Sequence, residues 1–558
     1  MSDRLIYLPL GGAGEIGMNA YVYGYGQPGK ERLIVVDLGV TFGDMDGTPG
    51  IDLIMADVAW LEANRDRIEA IFITHGHEDH VGALGLLWSR VRAPVHCRRF
   101  TGALAASKMD EAGQPSDVIQ IHPPRPATIQ AGPFSVQFVP ISHSIPESAA
   151  LIIDTPAGRV LHSGDFKLDG TPIVGEPFDP KIWHQIAQEG NGIKALACDS
   201  TNIFSPHPGR SEAALREPLR EFVAKQTGLV VATTFASNIA RLKTLAEAGQ
   251  AAGRKVCLLG RAMRKMVTTA VETQILTDFP GLISPEDAAE LPRDQVMLVV
   301  TGSQGERRAA SAQLSRGRYL GLELKEGDTF LFSSRTIPGN ERGVIRIMNA
   351  LSEKGVDVYD ADDGFYHVSG HANRPDIEAV HDLLRPQMVI PMHGEHMHLR
   401  EHAELAASKG IASVIATNGT MLDLTGDRPV VVEHVETGRT YLDGSVLIGA
   451  MDGVVRDRIR MALNGHAMVS IIIDEDDRPL PDAWVETMGL PERGRGGASL
   501  IENIEEELAE FLDRVDPKLA GNDEKLEEGI RRITRQVSMD EIGKKPEVTV
   551  IISRLAAE

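Results

Sequence analysis

The residues of this chain with the clearest chemical character lie in one short run, Thr74–Gly82, which reads THGHEDHVG. Imidazole and carboxylate ligands without a nearby thiolate suit Zn²⁺ or Mn²⁺. His75 and His77 are two residues apart, so both rings can project to one side of an extended turn. Asp79 and His80 follow at the predicted start of a helix, where consecutive side chains diverge by about 100°. The run therefore predicts ligands for two metal ions.

Two metal ions need more ligands than this run provides. Further candidates are His143, Asp165 and His393, each of which comes directly after a predicted strand. A single histidine at a strand end is usually structural. Three such positions, together with the run at 75–80, favour a rigid metal centre assembled at one edge of a sheet.

The elements that must position these ligands are mostly short strands in the first 200 residues. Their apolar, β-branched runs are bounded by turn residues, as is typical of strands in a sandwich covered by helices. They are predicted at 33–36, 70–74, 134–139, 151–154, 159–162 and 195–199. The helix after the histidine run is predicted over 81–88.

The pattern changes between about residues 203 and 364. There, apolar strands alternate with amphipathic helices, as at 239–252 and 340–354, which is typical of an open parallel sheet. The last segment combines a predicted strand at 467–473 with two acidic helices. Its apolar positions fit either a core of its own or a dimer interface: Leu500, Ile504, Leu508 and Phe511.

Composition limits the class of protein. The 558 residues are too many for one core, and 42% hydrophobic with 24% charged residues is typical of globular chains. Three scattered cysteines and no apolar run of about 20 residues predict a cytoplasmic protein without a membrane span. The net charge of −22 argues against nucleic acid. However, basic residues cluster between residues 254 and 346, including 254–265 and 305–318, where a solvated helix face would explain them equally well.

The order of Asp37, the 75–80 run, His143 and Asp165 resembles the metallo-β-lactamase fold family. The long insertion after Asp199, followed by SGH at 369–371 and PMHG at 391–394, is similar to its β-CASP nuclease branch. The opening LGGAGEIG at 10–17 and the separate C-terminal segment narrow the resemblance to the bacterial ribonuclease J family.

This resemblance implies an α/β fold: a metallo-β-lactamase αββα sandwich, an inserted β-CASP α/β domain and a small α/β C-terminal domain. The implied boundaries are 1–202 and 365–445 for the core, 203–364 for the insertion, 446–465 for a linker and 466–558 for the C-terminal domain.

The resemblance also implies two Zn²⁺ ions, with Mn²⁺ as the alternative metal. One ion would be held by His75, His77 and His143. The other would be held by Asp79, His80 and His393, and Asp165 would bridge the two. Asp37 would support a ligand imidazole, as metal-bound histidines usually require. A structural Ca²⁺ is a weaker implication, at Gly50, Asp52 and Asp443, where turn chemistry explains the residues equally well.

Catalytic roles are implied for Asp199, in proton transfer or in supporting a ligand, and for His371, in contacting the scissile phosphate and in proton transfer. Two small-residue loops would cradle a 5′-monophosphate. Their residues are Phe235, Ala236, Ser237, His367, Val368, Ser369, Gly370 and His371.

The function implied by the resemblance is a zinc-dependent ribonuclease with 5′→3′ exonuclease activity, stimulated by a 5′-monophosphate, and with endonuclease activity. It would act on single-stranded RNA in mRNA turnover and in rRNA and mRNA 5′-end processing. The basic clusters at 254–265 and 305–318 would rim the groove that holds this RNA. A homodimer or homotetramer and an RNA-decay complex are also implied. The alternatives are a hydrolase of a small ester, thioester or lactam, which needs no such insertion, and a non-catalytic scaffold of an RNA-decay complex. A flavodiiron oxidoreductase is disfavoured because it places an acid where His77 stands.

Overall fold

We describe residues 2–555 of the chain in a computed structural model. These residues form two compact units. One comprises residues 2–41 and Ile54–Thr440, and the other comprises Phe42–Leu53 and residues 441–555. The chain passes between the units along strands Val40–Phe42, Leu53–Ala56 and Arg439–Asp443. Within this part of the chain, no helix is both long and apolar enough to cross a membrane.

The first unit is built on two large sheets. One has eight strands in the order Val430–His434, Thr420–Asp423, Arg4–Gly11, Ala20–Gly26, Arg32–Val36, Ile68–Phe72, Val95–Cys97 and Ile119–Ile121. The other has seven strands in the order Ile129–Ala131, Phe134–Pro140, Ala149–Thr155, Gly158–His162, Ile193–Asp199, Met388–Met392 and Ala412–Ser413. Tyr7 and Phe72 from the first sheet pack with Phe138 and Ile390 from the second in one buried cluster.

Helices cover the outer faces of this sandwich because those faces are also apolar. Beneath the helices that follow the seven-stranded sheet, Trp183, Ile377 and Leu405 form a second buried cluster. The helices of the core are Ala59–Ala63, Glu78–Val81, Leu84–Val91, Arg99–Glu111, Pro180–Gln188, Arg374–Leu384 and His396–Ser408. This arrangement confirms the predicted αββα sandwich.

The inserted segment forms a third sheet of five parallel strands. Their order is Lys255–Leu259, Val296–Val300, Val230–Thr233, Thr329–Phe332 and Asp357–Tyr359. The strands other than the edge strand Asp357–Tyr359 are buried on both faces, which explains why they read as continuous apolar runs. The helices of the insertion are Arg216–Ala224, Ile239–Ala251, Arg261–Glu272, Pro285–Glu290, Ala310–Arg316 and Glu341–Ser352, so both helices predicted here are confirmed.

The second unit has its own hydrophobic core. Its sheet has the order Trp484–Met488, His466–Ile473 and Glu547–Arg554, and its helices are Val454–Asn464, Leu500–Asp513, Pro517–Ala520 and Asp523–Ile542. Leu500, Ile504 and Leu508 are fully buried against the sheet. Of the two interpretations of these positions, the structure supports an internal core.

Two local expectations differ from the structure. The helix predicted over 81–88 is broken, because the N–H of Ala83 donates to the carbonyl of Leu38 at 3.0 Å instead of continuing the helix. The segment expected as a linker contains strand Val446–Gly449 as well as helix Val454–Asn464. The domain boundaries themselves stay predictions.

Candidate metal centre

The predicted ligands meet because they follow neighbouring parallel strands. Strands Gly158–His162, Ile193–Asp199 and Met388–Met392 are adjacent and parallel, so Asp165, Asp199 and His393 lie at one edge of their sheet. The strands Arg32–Val36 and Ile68–Phe72 are likewise parallel neighbours in the other sheet, which brings Asp37 beside the histidine run.

Three imidazoles form what we call the three-histidine group: His75, His77 and His143. Nδ1 of His77 lies 3.1 Å from Nε2 of His75 and 3.0 Å from Nε2 of His143. A tetrahedral zinc with bonds of about 2.0–2.1 Å needs ligand atoms about 3.3 Å apart. The three nitrogens therefore stand close to the spacing that a zinc ion requires.

The outer nitrogens of two of these rings fix where the protons sit. Nδ1–H of His143 donates to the carbonyl of Gly370 at 2.6 Å, so its Nε2 is an acceptor. The hydroxyl of Thr74 donates to the carboxylate of Asp37 at 2.8 Å, so it must accept from Nδ1–H of His75 at 3.0 Å. Two acceptor nitrogens thus face Nδ1 of His77, and a cation at their centre satisfies all three.

Four further side chains form what we call the mixed group: Asp79, His80, Asp165 and His393. Nε2 of His80 lies 3.1 Å from Oδ2 of Asp165, and Nε2 of His393 lies 3.4 Å from Oδ2 of Asp79. Among residues 2–555, Nε2 of His393 is one of the buried nitrogens without a hydrogen-bond partner. This orphaned atom and the donor chemistry fit a metal ion.

Asp165 belongs to the mixed group but also faces the three-histidine group, as is expected of a bridging ligand. Its Oδ2 lies 3.9 Å from Nε2 of His75 and 3.8 Å from Nε2 of His143, and its Oδ1 lies 2.8 Å from Nδ1 of His393. Asp37 accepts at 2.7 Å from Nδ1 of His80 and so leaves Nε2 of that ring to face the mixed group. The predicted ligands are therefore brought together, and their assignment to individual ions stays a prediction.

The two groups differ in their electrostatics. Burial lowers the pKa of His77 to about 4 and that of His75 and His143 well below 6.5, so these rings are neutral and free to bind a cation. In the mixed group, burial acts against charge, but Asp165 and its neighbours outweigh burial and raise the pKa of His393 to about 10. The carboxylates of the mixed group therefore attract positive charge, whether from a proton or from a metal.

Asp199 and His371 form a pair beside the centre. Nδ1 of His371 lies 2.8 Å from Oδ2 of Asp199, and the same nitrogen lies 4.0 Å from Oδ2 of Asp165. Burial lowers the pKa of His371, but the charge and hydrogen bond of Asp199 outweigh burial and raise it above 6.5. The imidazolium of His371 is therefore favoured, and its side chain is 23% exposed. Asp199 is fully buried and acts on the site through His371.

Two loops flank the three-histidine group. We call residues 234–238 the insertion loop and residues 367–371 the glycine loop. Oγ of Ser237 lies 3.1 Å from Nε2 of His77, and Phe235 and Ala236 beside it are half-buried. In the glycine loop, Oγ of Ser369 accepts from the amide of Asn202 at 2.7 Å and from the backbone N–H of His371 at 3.1 Å. The predicted pocket residues thus lie close to the metal centre.

Two members of the predicted pocket have narrower roles than expected. The side chain of Val368 packs in the core of the insertion, so only its backbone can meet a ligand. Nη1–H of Arg241 points at Nδ1 of His367 at 3.4 Å, which leaves the N–H of that ring on Nε2. Burial, then Arg241, Arg335 and Lys167, lower the pKa of His367 well below 6.5. His367 is therefore a neutral hydrogen-bond donor.

Sequence reasoning missed two buried residues at the site. The amide nitrogen of Asn19 lies 3.1 Å from the carbonyl of Asp79 and 3.0 Å from Nε2 of His80, so Asn19 supports the metal-binding run. Its position at the end of the glycine-rich opening was a usable signal. Arg241 is completely buried and bonds to several segments of the insertion. Within an amphipathic helix it carried no distinguishing pattern.

The predicted basic rim needs correction at Arg254. This side chain is 5% exposed, and its guanidinium donates to the carbonyls of Gly228 at 2.7 Å and Val296 at 3.1 Å. Its guanidinium is used up in hydrogen bonds to backbone carbonyls, so it cannot line an RNA groove. A cluster of basic residues in the sequence does not reveal which of them bind backbone carbonyls.

The calcium candidates lie in the second unit. The carboxylate of Asp443 pairs with Arg458 at 2.6 Å, and Oδ2 of Asp52 accepts from the N–H of Gly444 at 2.9 Å. Arg458 also lies beside Gly50. These residues are not among the groups of converging ligand atoms found within residues 2–555, and a calcium site there stays a prediction.

One further group of ligand-type side chains is buried behind the centre. Cys198, His381 and His402 lie together, and Nε2 of His381 is 3.1 Å from Nε2 of His402. Nδ1 of His402 meets the hydroxyl of Ser200 at 2.9 Å. Burial lowers the pKa of His381 to about 4, so a hydrogen bond between neutral rings accounts for this contact.

Comparison with known proteins adds to this geometry. Four family models match the chain: the metallo-beta-lactamase superfamily at 14–231, the ribonuclease J beta-CASP domain at 227–351, a Zn-dependent metallo-hydrolase RNA specificity domain at 364–416 and the ribonuclease J C-terminal domain at 453–555. A crystal structure of a protein of unknown function from Enterococcus faecalis V583 is similar with a TM-score of 0.52 at 16% identity. It covers 75% of this chain and 100% of that one, and supports the fold alone.

Relatives named ribonuclease J match over most of the chain. A ribonuclease J of Sinorhizobium meliloti is 39% identical over 556 residues, which is 99% of this chain and 98% of that protein. A ribonuclease J of Thermus thermophilus is 34% identical over 487 residues, which is 85% of this chain and 83% of that protein. Given these matches and a ligand set that fits metal ions, the chain belongs to the ribonuclease J family and is a metal-dependent nuclease of the metallo-β-lactamase superfamily.

Proposed function

We propose that this nuclease is a zinc-dependent ribonuclease that degrades single-stranded RNA from the 5′ end, is stimulated by a 5′-monophosphate and also cuts internally. The observation that carries the proposal is the position of His371. Its ring ends the glycine loop and lies 5.0 Å from the ring of His143 in the three-histidine group. The relatives named ribonuclease J and the RNA specificity model support RNA as the substrate.

Different residues of the chain have different roles in phosphodiester hydrolysis. Bound at the two groups, zinc would activate water near neutral pH and offset the negative charge of the phosphate. The imidazolium of His371 donates a hydrogen bond to the scissile phosphate and stabilises the charge that develops there. Asp199 keeps that ring protonated and oriented. Asp165 would join the two groups, because its Oδ2 faces Nε2 of His80 as well as Nε2 of His75 and of His143.

The insertion loop and the glycine loop are suited to hold a terminal phosphate. They offer the hydroxyls of Ser237 and Ser369, the N–H of His367 and the backbone around Gly370. Arg335 adds positive charge near His367, which favours an anion. We therefore assign these loops the 5′-monophosphate. Roles in mRNA turnover and 5′-end processing, a homodimer or homotetramer, and membership of an RNA-decay complex belong to the same proposal.

The direction of cleavage is tested with two copies of one RNA, labelled at the 5′ end or at the 3′ end, with Zn²⁺ or Mn²⁺ present. Release of labelled mononucleotide from the 5′ copy, with shortening of the 3′ copy, is expected for 5′→3′ digestion. Discrete internal fragments from both copies report endonuclease cuts. Mononucleotide release from the 3′ side would contradict the proposal.

The end-sensing pocket is tested separately, with RNAs that differ only in a 5′-monophosphate, triphosphate or hydroxyl end. We expect the RNA with a 5′-monophosphate to be digested fastest, because we assign a single phosphate to the two loops. Equal rates for all three ends would remove the pocket from the proposal and leave the ribonuclease activity standing.

A further inference from the structure

The outer supports of two metal-binding imidazoles come from the substrate loops. Nε2 of His77 lies 3.1 Å from Oγ of Ser237 in the insertion loop. Nδ1–H of His143 donates to the carbonyl of Gly370 in the glycine loop at 2.6 Å. His75, by contrast, is supported from within the sandwich by Thr74. Two of the three rings therefore depend on the loops for their orientation.

One buried residue contacts both loops. The backbone N–H of Arg241 donates to Oδ1 of Asn238, the last residue of the insertion loop, at 3.0 Å. Its Nη1 donates to the carbonyl of Ser333 at 2.8 Å and lies 3.4 Å from the carbonyl of Tyr366, directly before the glycine loop. Its Nη2 pairs with the buried carboxylate of Glu212 at 3.1 Å. Arg241 thus contacts the insertion loop through its backbone and the start of the glycine loop through its guanidinium.

This network continues into the sandwich. Nζ of Lys167 lies 3.1 Å from Oδ2 of Asp169 and 3.6 Å from Oε2 of Glu212. All three charged groups, and Arg241 with them, are at most 3% exposed. The removal of one member would leave a buried charge without its partner, which makes the network a rigid connection between insertion and sandwich.

We propose that Ser237 and Arg241 are positioning residues that couple the substrate loops to metal retention at the three-histidine group. The inference rests on the proposed function, because it takes a 5′-monophosphate as the ligand of the loops. A ligand that binds the ordered form of the loops also favours the orientation of His77 and His143 that holds the metal. By linkage, a bound metal strengthens phosphate binding by the same factor.

Metal retention is measured as the transfer of zinc from the loaded full chain to a chromophoric chelator. We expect one of the two zinc equivalents to leave at least about 5-fold more slowly with saturating uridine 5′-monophosphate. Uridine without the phosphate serves as the control. Equal zinc release rates with uridine 5′-monophosphate and with uridine would overturn the coupling.

The variant Ser237→Ala removes only the hydroxyl that supports His77. We expect it to release one zinc equivalent about 10–100-fold faster, in the range found for lost outer-shell contacts, and the other at the wild-type rate. The variant Arg241→Lys keeps the charge but loses the fork, so it should release the same equivalent faster and lose the nucleotide effect. Wild-type release from both variants would overturn the proposal.

Arg254→Lys is the matched control, since Arg254 is also a buried arginine of the insertion but bonds only to backbone carbonyls. It should release zinc at the wild-type rate. If it accelerated release as much as Arg241→Lys, general loosening of the insertion would explain the effect and the proposal would be wrong. Failure of the proposed function looks different: the wild type would show no preference for 5′-monophosphate RNA, while Ser237→Ala would still lose zinc faster.

Discussion

At the scale of single residues, the positions of protons on the imidazoles decide what the centre can bind. Each ring in the three-histidine group presents one nitrogen inward and holds the other against a partner. For His75 that partner is the hydroxyl of Thr74, whose own proton goes to Asp37. Asp37 receives a second bond from His80. One buried carboxylate therefore orients a ring in each metal-binding group.

Replacement of Thr74 tests this relay. Thr74→Val keeps the volume but removes the acceptor for Nδ1–H of His75, and we expect zinc affinity to fall about 10–100-fold. Affinity is measured by competition with a chelator of known strength. Thr74→Ser keeps the hydroxyl and should restore most of the affinity. Equal affinities for Val and Ser variants would show that the relay does not orient the ring.

The second prediction at this scale concerns pH. Asp199 raises the pKa of His371 above 6.5, so the protonated ring is retained to higher pH than in a free histidine and is lost as pH rises through the raised pKa. In Asp199→Asn the carboxylate charge is gone, and we expect the falling alkaline limb of the cleavage rate to move to lower pH.

The pH profile of RNA cleavage under metal saturation measures this shift. Thr201→Val is the control, because Thr201 donates to the other oxygen of Asp199 at 2.7 Å and its loss leaves the carboxylate charged. Its alkaline limb should stay near that of the wild type. An unmoved limb in Asp199→Asn would mean that another group sets it.

At the scale of elements, the strand ends determine where the ligands meet. Asp37 and His393 both adopt left-handed backbone conformations, with φ of 64° and 51°, directly after their strands. Such conformations are unfavourable for non-glycine residues and turn the chain sharply at the sheet edge. The next turn after Asp37 approaches the metal-binding run so closely that a Cβ on Gly39 would lie 1.7 Å from the carbonyl oxygen of Asp79.

The variant Gly39→Ala should therefore displace the backbone of the metal-binding run. We expect the free energy of unfolding to fall by about 3 kcal/mol and zinc content to fall with it. Urea unfolding and metal analysis measure the two effects. Gly170→Ala, at a position with no atom within 4 Å of the added Cβ, should change neither. Normal zinc content in Gly39→Ala would contradict the close approach.

Most strands, and the ligands at their ends, could be predicted from the sequence, because β-branched runs bounded by turn residues indicate strands directly. The ligands His143, Asp165 and His393 were found by their place after strands, and the structure brings them together. The contacts of Arg241 and Arg254 could not be predicted, since both are arginines in polar or amphipathic segments. Their partners are backbone carbonyls and distant side chains, which leave no local pattern.

At the scale of the whole molecule, two units carry separate cores. The core of the second unit consists of alternating residues of strand His466–Ile473 packed under Leu500, Ile504 and Leu508. The C-terminal acidic residues leave these apolar positions uninterrupted on one helix face. This sheet and its helices bury each other's apolar side chains. The segment therefore does not need the rest of the chain to bury its apolar surface.

We therefore expect residues 465–558 to fold alone. A urea titration followed by circular dichroism should show one cooperative transition. Ile504→Ala should destabilise this fragment by about 2–5 kcal/mol, because it opens a cavity in a fully buried position. Glu506→Ala, at an exposed position on the same helix, is the control and should shift the midpoint little. A broad, non-cooperative transition in the wild-type fragment would contradict an independent core.

The order of strands in the seven-stranded sheet has a consequence for synthesis of the chain. Strand Ile193–Asp199 pairs on one side with Gly158–His162 and on the other with Met388–Met392. At about 5–20 residues per second, a ribosome needs about 10–40 seconds to translate the segment between strand Ile193–Asp199 and its second partner, Met388–Met392. During that time the nascent sandwich has an open edge and lacks His393. The growing polypeptide therefore cannot assemble its cutting centre until most of its own message has been translated.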